Sequence, residues 1–486
     1  MIKNIADRHW LIKATLNSYA QVFFSNHLGF AVLLLLVTFI DLSAGLAGLY
    51  AILLSNIIAH IMGFSQENIE KGYYGFNVLL VGLGLGIYYA PSIPLFIILS
   101  FISMFCLFIS IAFEGIFTKY GLPYLSIPFL LALWIVILAS RQFQALEVES
   151  GDIFWINRAY EYGGTTLVSW YENFNDLGLS ESWRVYFKSL GAIFFQYNLI
   201  AGIIIAIGLL LSSRLSFLLS VIGFFSAFFY YEIVGADITE LSYSYIGFNY
   251  ILTAIAIGGY FIIPSWRSFL WVILLTPLIS LLITSSNALL SLFQLSVFSL
   301  PFNVVVILFV YILKLRVRPG KELNLVSVQY DQPEKNRYRY LNYMERFWSE
   351  KFLPISLPYW GTWDVSQDHD GEYTHKDDWR HAWDFVIEND SGNTFNDSGT
   401  SLTDYLCYKK PVLAVADGTV EEILDNIKDN KIGDVDLENN WGNTIVIKHA
   451  PYLYSKLSHI LKGSFKVKKG DSVKKGQLLA YCGNSG

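Results

Sequence analysis

Three short strings occur twice in this chain, inside long apolar stretches, and no other feature constrains its fold as much. Ser18-Tyr19-Ala20-Gln21-Val22-Phe23-Phe24 is echoed by Ser189-Leu190-Gly191-Ala192-Ile193-Phe194-Phe195. Gly75-Phe76-Asn77 returns as Gly247-Phe248-Asn249, and Ser126-x-Pro128-Phe129 returns as Ser299-x-Pro301-Phe302. The copies keep their order and lie about 172 residues apart, so the region up to about residue 315 reads as one unit duplicated. In a membrane protein, such a duplication points to a pathway between the two halves.

The apolar character is local. Of the 486 residues 54% are hydrophobic and 15% charged, where a soluble protein has about a quarter charged. The stretches Phe30–Ile40, Leu95–Ile111, Leu122–Ser140, Leu199–Leu211 and Ser268–Ile283 carry almost no charge, whereas polar residues and glycine run throughout beyond Val317. We expect a polytopic α-helical membrane domain over residues 1–318, a polar linker over 319–343 and an all-β soluble domain over 344–486. Each apolar stretch is about as long as a bilayer core requires, which gives roughly ten spans, five in each of the repeats ~10–142 and ~183–315. The segments after Phe64 and after Ala236 begin with polar, acidic strings (Ser65 to Lys71, and Asp237 to Glu240) before the Gly-Phe-Asn copies. They read as half-membrane helices facing protein or a water-filled cavity.

Charge sets an orientation. The loop from about Gln142 to Trp183 carries Glu147, Glu149, Asp152, Glu161, Glu172, Asp176 and Glu181 against Arg158. Lys3, Arg8 and Lys13 precede the first span, and Lys314, Arg316 and Arg318 follow the last. Both termini are expected in the cytoplasm, and five spans per half make the repeats inverted. No cleavable signal peptide is expected, because residues 1–15 are polar and charged. Cys106 lies in an apolar stretch, and Cys407 and Cys482, in the soluble part, are open to pairing but report no redox compartment. The net charge of -6 argues for no nucleic-acid partner, and none is expected.

A lone Gly-Phe-Asn reads as a helix-packing motif, but the paired strings go further. Phe248-Asn249-Tyr250-Ile251-Leu252-Thr253-Ala254-Ile255-Ala256, its first-repeat partner at Gly75-Phe76-Asn77 and the two Ser-x-Pro-Phe strings resemble the urea transporter family of bacteria and animals over about residues 10 to 315. The resemblance implies passive passage of urea through a narrow slot. Its walls are expected from Val22, Phe24, Phe76 and Leu80 in the first repeat and Ile193, Phe195, Phe248 and Leu252 in the second, with Asn77 and Asn249 counted among the pore residues. Ser126 and Ser299 stand in place of paired threonines at the midpoint, and Gln21 stands at a polar mouth. Flat apolar plates select the shape of a planar neutral solute while oxygen acceptors replace its water. The family implies a homotrimer in membrane lipid, and no cofactor is expected for this domain. Ala192 departs from the family, which has Glu or Gln there, and this leaves room for a similar small neutral solute other than urea. Asp41, Glu114 and Glu232 have no assigned role.

In the soluble part, Pro411 to Val420 reads as two strands around a turn and Asn443 to His449 as another strand. The turn string Val467 to Gln477 also occurs in lipoyl-type carrier domains, but no lysine stands in the lipoyl context. Taken in order, the strings from about Pro358 on resemble the M23 (lysostaphin-like) zinc metallopeptidases. That resemblance implies zinc ligands at His375 and Asp384, with His381 a rival ligand, and a catalytic histidine at His459. Imidazole and carboxylate ligands suit a zinc with an open position, which activates water. The family continues into a His-x-His string after the point reached here, Gly483-Asn484-Ser485-Gly486, so two ligands are expected within this sequence. Together the resemblances imply a multi-pass protein of a bacterial inner (cytoplasmic) membrane. Alternatives to a channel with an appended domain are a membrane-anchored zinc peptidase acting on peptidoglycan peptides, or an inactive tail that regulates the channel. Peptidases of this kind act outside the membrane, whereas the charges place the tail inside.

Overall fold

The computed structural model describes residues 9–143, 145–148, 155–175, 178–236, 247–316, 323–326, 331–347, 353, 355–371, 374–450 and 453–486. They form two compact units, Met1–Glu350 and Lys351–Gly486.

The first unit is helical. Its elements are α1 (Trp10–Gln21), α2 (Leu28–Thr38), α3 (Leu42–Ile61), α4 (Gln66–Glu70), α5 (Phe76–Tyr88), α6 (Ile93–Thr118), α7 (Ile127–Ser140) and α8 (Trp155–Asn175). Then come α9 (Glu181–Ala192), α10 (Leu199–Ser212), α11 (Arg214–Val234), α12 (Phe248–Ile255), α13 (Trp266–Ser291), α14 (Leu300–Lys314) and α15 (Pro333–Phe347). A π-helical turn, Ala256–Tyr260, prolongs α12. Among the described residues α3, α6, α11 and α13 are long and apolar enough to cross a membrane, while α2, α5, α7, α10, α12 with its π turn and α14 are apolar but shorter. Their ends are set by residues in the sequence. The Asp41 carboxylate accepts from Ala44 N at 2.9 Å and caps α3, which gives that acid a role. Ser92 and Ser213 cap α6 and α11 in the same way, and prolines stand in the first turns of α7 and α14.

The packing is duplicated as well as the sequence. The α3–α5 pair closes on small residues: a Cβ on Gly82 would lie 2.7 Å from Ala47 O and 2.8 Å from Gly48 Cα. The α11–α12 pair closes in the same manner, with a Cβ on Gly223 2.6 Å from Ala254 Cβ. Phe23 and its counterpart Phe194 stack with centroids 6.1 Å apart, so equivalent residues of the two halves meet in the core. Outward, Ile93, Ile97, Phe101, Phe105 and Phe108 make an exposed apolar stripe along α6.

Three stretches differ from expectation. The polar string after Phe64 forms only the single turn α4, and the half-length helix is α5; its second-half counterpart, Asp237 to Glu240, lies outside the described residues. The acidic connection between the halves contains α8, whose Ala159 and Tyr171 are buried. The stretch expected as a linker contains most of α15, which packs against the π turn and α11. Charge made both segments look like solvated loops, but Ala159 and Tyr171 of α8 and Pro333 and Asn336 of α15 are buried.

The second unit is built of strands. β1 (Asp364–Gln367) pairs with β2 (Asp384–Val386), and β3 (Pro411–Leu413) pairs with β8 (Leu478–Tyr481). A four-stranded antiparallel sheet has the order β6-β5-β4-β7, from β4 (Gly418–Leu424), β5 (Asn443–Ala450), β6 (Leu453–Ile460) and β7 (Ser472–Val473). Alternation along β5 sends Ile445 and Ile447 inward, where they meet Val420, Ile460, Val473 and Leu479.

Candidate functional site

The ends of α1 and α9 make the same turn. Ser25 N donates to Ala20 O at 3.1 Å and Phe24 N to Gln21 O at 2.9 Å; Gln196 N and Phe195 N repeat this on Gly191 O and Ala192 O at 3.0 Å each. This is the six-to-one closure that puts the residue after a helix in the left-handed region. Phenylalanine occupies that position both times, with φ 57° at Phe24 and 58° at Phe195. A side chain there costs about 1–2 kcal/mol, and both strained rings face the cavity described below.

Loops before α7 and α14 are strained in parallel, with φ 49° at Leu125 and 46° at Phe298. Asn77 holds the first: its Nδ2 donates to Leu125 O at 3.0 Å and its Oδ1 accepts from Phe129 N at 3.3 Å. Asn249 holds the second through Phe298 O at 2.9 Å and Phe302 N at 3.2 Å. Irregular backbone at membrane depth is tolerated when protein satisfies it in this way.

These loops bring Ser126 Oγ and Ser299 Oγ to 2.7 Å from each other. Asn303, in the place where the first repeat has Leu130, breaks the symmetry. Its Oδ1 accepts from Ser126 N at 3.0 Å, and its Nδ2 donates to Ser126 Oγ at 3.0 Å and Ser299 O at 2.8 Å. Asn303 is buried, so the amide fixes the waist without contact with water.

A cavity of about 250 Å³ runs past these serines. Gln21, Val22, Phe24, Phe76, Leu80, Ser126, Ile193, Phe195, Phe248, Leu252 and Ser299 all line it. Asn77 and Asn249 do not, because their amides are turned into the loops they hold. Sequence reasoning missed several walls: Phe129 and Phe302, although both stand in the repeated Ser-x-Pro-Phe strings, and Tyr124, Tyr260 and Phe298. Phe302 meets Phe24 at 6.3 Å and Phe129 meets Phe195 at 6.1 Å, each pair joining one half to the other. Ala192 lines the slot and adds no polar group. Glu114 also reaches the wall, and its Oε1 accepts from Asn68 Nδ2 at 3.0 Å. Glu232 is exposed on the last turn of α11.

At Gln21, Phe24, Tyr73 and Tyr260 the slot adjoins a second cavity of about 280 Å³, a vestibule whose wall includes Asn17, Lys71 and Asp331.

Residues 12–314 match the family model for urea transporters. The chain belongs to the urea transporter family. Among curated relatives it is 26% identical to urea transporter 1 of Ovis aries over 328 residues, covering 67% of this chain and 82% of that protein. Urea transporter 1 of Capra hircus matches to the same extent. That of Rattus norvegicus is 26% identical over 229 residues, or 46% of this chain and 56% of the relative. Residues 401–486 match the family model for peptidase family M23, so a urea transporter module is joined to an M23 domain. The second match includes His459 but neither His375 nor Asp384.

In that second unit His375 is buried, and its Nδ1 lies 2.7 Å from Asp368 O. A proton on Nδ1 leaves the Nε2 lone pair facing Asp384 Oδ1 at 3.3 Å. Gln367 Nε2 donates to the other Asp384 oxygen at 3.0 Å. Two donor atoms oriented by outer partners fit one corner of a metal site. Among the described residues, no group of three metal-ligating side chains forms. His381 accepts from Arg380 Nε at 3.1 Å. His459, with φ 58° at the end of β6, has its Nδ1 2.7 Å from Ser485 O.

Proposed function

We propose that the urea transporter module conducts urea passively through the slot. The observation that carries this reading is the paired Ser126 and Ser299 hydroxyls set within an aromatic-walled cavity. Urea is flat, neutral and rich in N–H donors, so rings on both sides admit its shape and the hydroxyls take its hydrogen bonds. Ions lose their water in such a slot and gain too little in return. The module is a pair of inverted five-span repeats in a bacterial inner membrane, assembled as a lipid-surrounded homotrimer with one slot per subunit and both termini inside. Purified chain in proteoliposomes should pass urea rapidly, without saturation and independently of salt. Urea flux no faster than in empty liposomes overturns the proposal.

A second reading concerns the M23 domain, and the approach of His375 Nε2 to Asp384 Oδ1 favours it. His375 and Asp384 would hold a zinc ion, which when bound supplies a Lewis acid and activated water for peptide hydrolysis. His375 contributes through Nε2 because Asp368 O holds its Nδ1 proton. Asp384 keeps its orientation through Gln367, and His459 would serve as the catalytic histidine, its ring held by Ser485 O. Peptidoglycan peptides are the proposed substrate, and this reading requires the domain outside the membrane, opposite to the orientation of the first reading. Calorimetric zinc titration should show binding that His375→Ala abolishes, and equal zinc binding by both chains overturns this reading. Protease accessibility of the domain in sealed vesicles decides its compartment.

A further inference from the structure

The segment after α14 closes over the module, and it does so at one mouth of the slot. Residues 323–326 add an edge to the end of the π turn: Ile263 N donates to Asn324 O at 2.8 Å and Val326 N to Phe261 O at 2.9 Å. Asn336 is buried, and its Nδ2 donates to Gly259 O at 3.0 Å and Tyr260 O at 3.2 Å, carbonyls that a helix end leaves without partners. Pro333 fills the space that a Cβ on Gly259 would need, 2.6 Å away. Glu334 accepts from Ser213 Oγ and Leu215 N at 2.7 Å each, and Gln332 Nε2 donates to Ser25 Oγ at 3.2 Å. The segment is thereby fastened to both repeats.

This fastening sets Asp331 in the vestibule wall, in the cavity that shares Gln21, Phe24, Tyr73 and Tyr260 with the slot. Asp331 Oδ1 accepts from Gln332 N at 2.9 Å and lies 3.5 Å from Lys335 Nζ; Oδ2 accepts from Arg339 Nη2 at 3.1 Å. A carboxylate offers about four acceptor sites, so capacity remains beyond these partners. Asp331 lies outside the 12–314 family match, and among the described residues no carboxylate of the repeats lines this cavity.

Resting on the channel reading above, we infer that Asp331 is a specificity-determining residue of this mouth, accepting N–H groups of planar amide solutes before they pass Gln21. A donor-rich solute then exchanges water for Asp331, the Gln21 amide and the serine waist in succession, while a solute without N–H groups gains nothing at the first step. Arg339 competes for the same carboxylate, so pairing limits how much of it the solute receives.

The test uses the full chain in proteoliposomes and compares permeability to urea with permeability to 1,3-dimethylurea, which has fewer N–H donors. Asp331→Leu should lower urea permeability roughly fivefold, the scale of about one lost hydrogen bond, and should lower the urea-to-dimethylurea ratio. Asp331→Asn, which keeps an acceptor, should restore most of both. Arg339→Met should act in the opposite direction and raise urea permeability, because it frees an acceptor oxygen. A tether that merely held the segment in place would fail alike from either partner. Equal losses from Asp331→Leu and Arg339→Met, or no change from either in a chain that conducts urea, overturn the inference. Absence of urea flux in the unsubstituted chain overturns the channel reading itself, and this inference with it.

Discussion

Asn303 gives the most direct residue-scale test of the waist, because its counterpart in the first repeat is the apolar Leu130. Asn303→Leu would leave Ser126 N without its buried partner and leave the Ser126 hydroxyl held only by that of Ser299. The expected cost is about 1–3 kcal/mol of stability, read as a lower melting temperature in detergent, together with reduced urea permeability because the hydroxyls lose their fixed direction. A second residue-scale prediction lies in the M23 domain. Cys407 and Cys482 are free thiols, as their sequence positions allowed. The neighbouring Cys482 side chain holds the Cys407 thiol down at about 7, while the same partnership and burial push Cys482 up. Alkylation of Cys407 should therefore rise through a midpoint near pH 7, and Cys482→Ala should move that midpoint upward by removing the neighbour that favours the thiolate. An unmoved midpoint, followed by mass spectrometry across pH, excludes the pairing. Asn303 did not stand out in the sequence, because no repeat or spacing marks a single amide, whereas Cys407 and Cys482 were already open to pairing there.

At the scale of elements, the duplicated crossings predict duplicated sensitivities. A Cβ on Gly75 would lie 2.2 Å from Ser18 Oγ, and one on Gly247 would lie 2.4 Å from Ser189 Oγ. Gly75→Ala and Gly247→Ala should each destabilise by about 1–3 kcal/mol through overpacking, and Ser18→Gly should rescue the first without affecting the second. Thermal melting of the four chains in detergent checks this. Much of this level was legible beforehand: among the described residues the five named apolar stretches all fall on apolar helices, which number ten, four of them long enough to cross a membrane, and the strings at Gly75 and Ser126 stand at helix starts. What escaped were α8 and α15, whose charged residues read as solvated loop. The short lengths of α2 and α10 escaped as well. Where a helix stops depends on what satisfies its end groups, and for α12 that is Asn336, some eighty residues away along the chain.

At the scale of the whole molecule the boundary between units lies after Glu350, beyond α15. Deleting residues from Lys351 onward should leave urea permeability unchanged, whereas deleting from Pro319 onward should reduce it by removing the vestibule wall. Equal permeability of the two truncated chains in proteoliposomes would show that the segment is dispensable. The duplicated strings and the uncharged stretches, read from residue order, sufficed for the helical class, because period, charge and hydrophobicity are local properties of a chain; the family resemblance carried by those strings implied eleven residues of the slot lining and left Phe129, Phe302, Tyr124, Tyr260 and Phe298 unread. Three things waited for the assembled fold. The Asn77 and Asn249 amides proved to be braces and not walls. The waist proved to be held by an unpaired asymmetry at Asn303. The presumed linker proved to carry Asp331 back to the mouth. Each depends on which distant groups are brought within hydrogen-bonding distance, and that is a property of the packing of helices, not of spacing along the sequence.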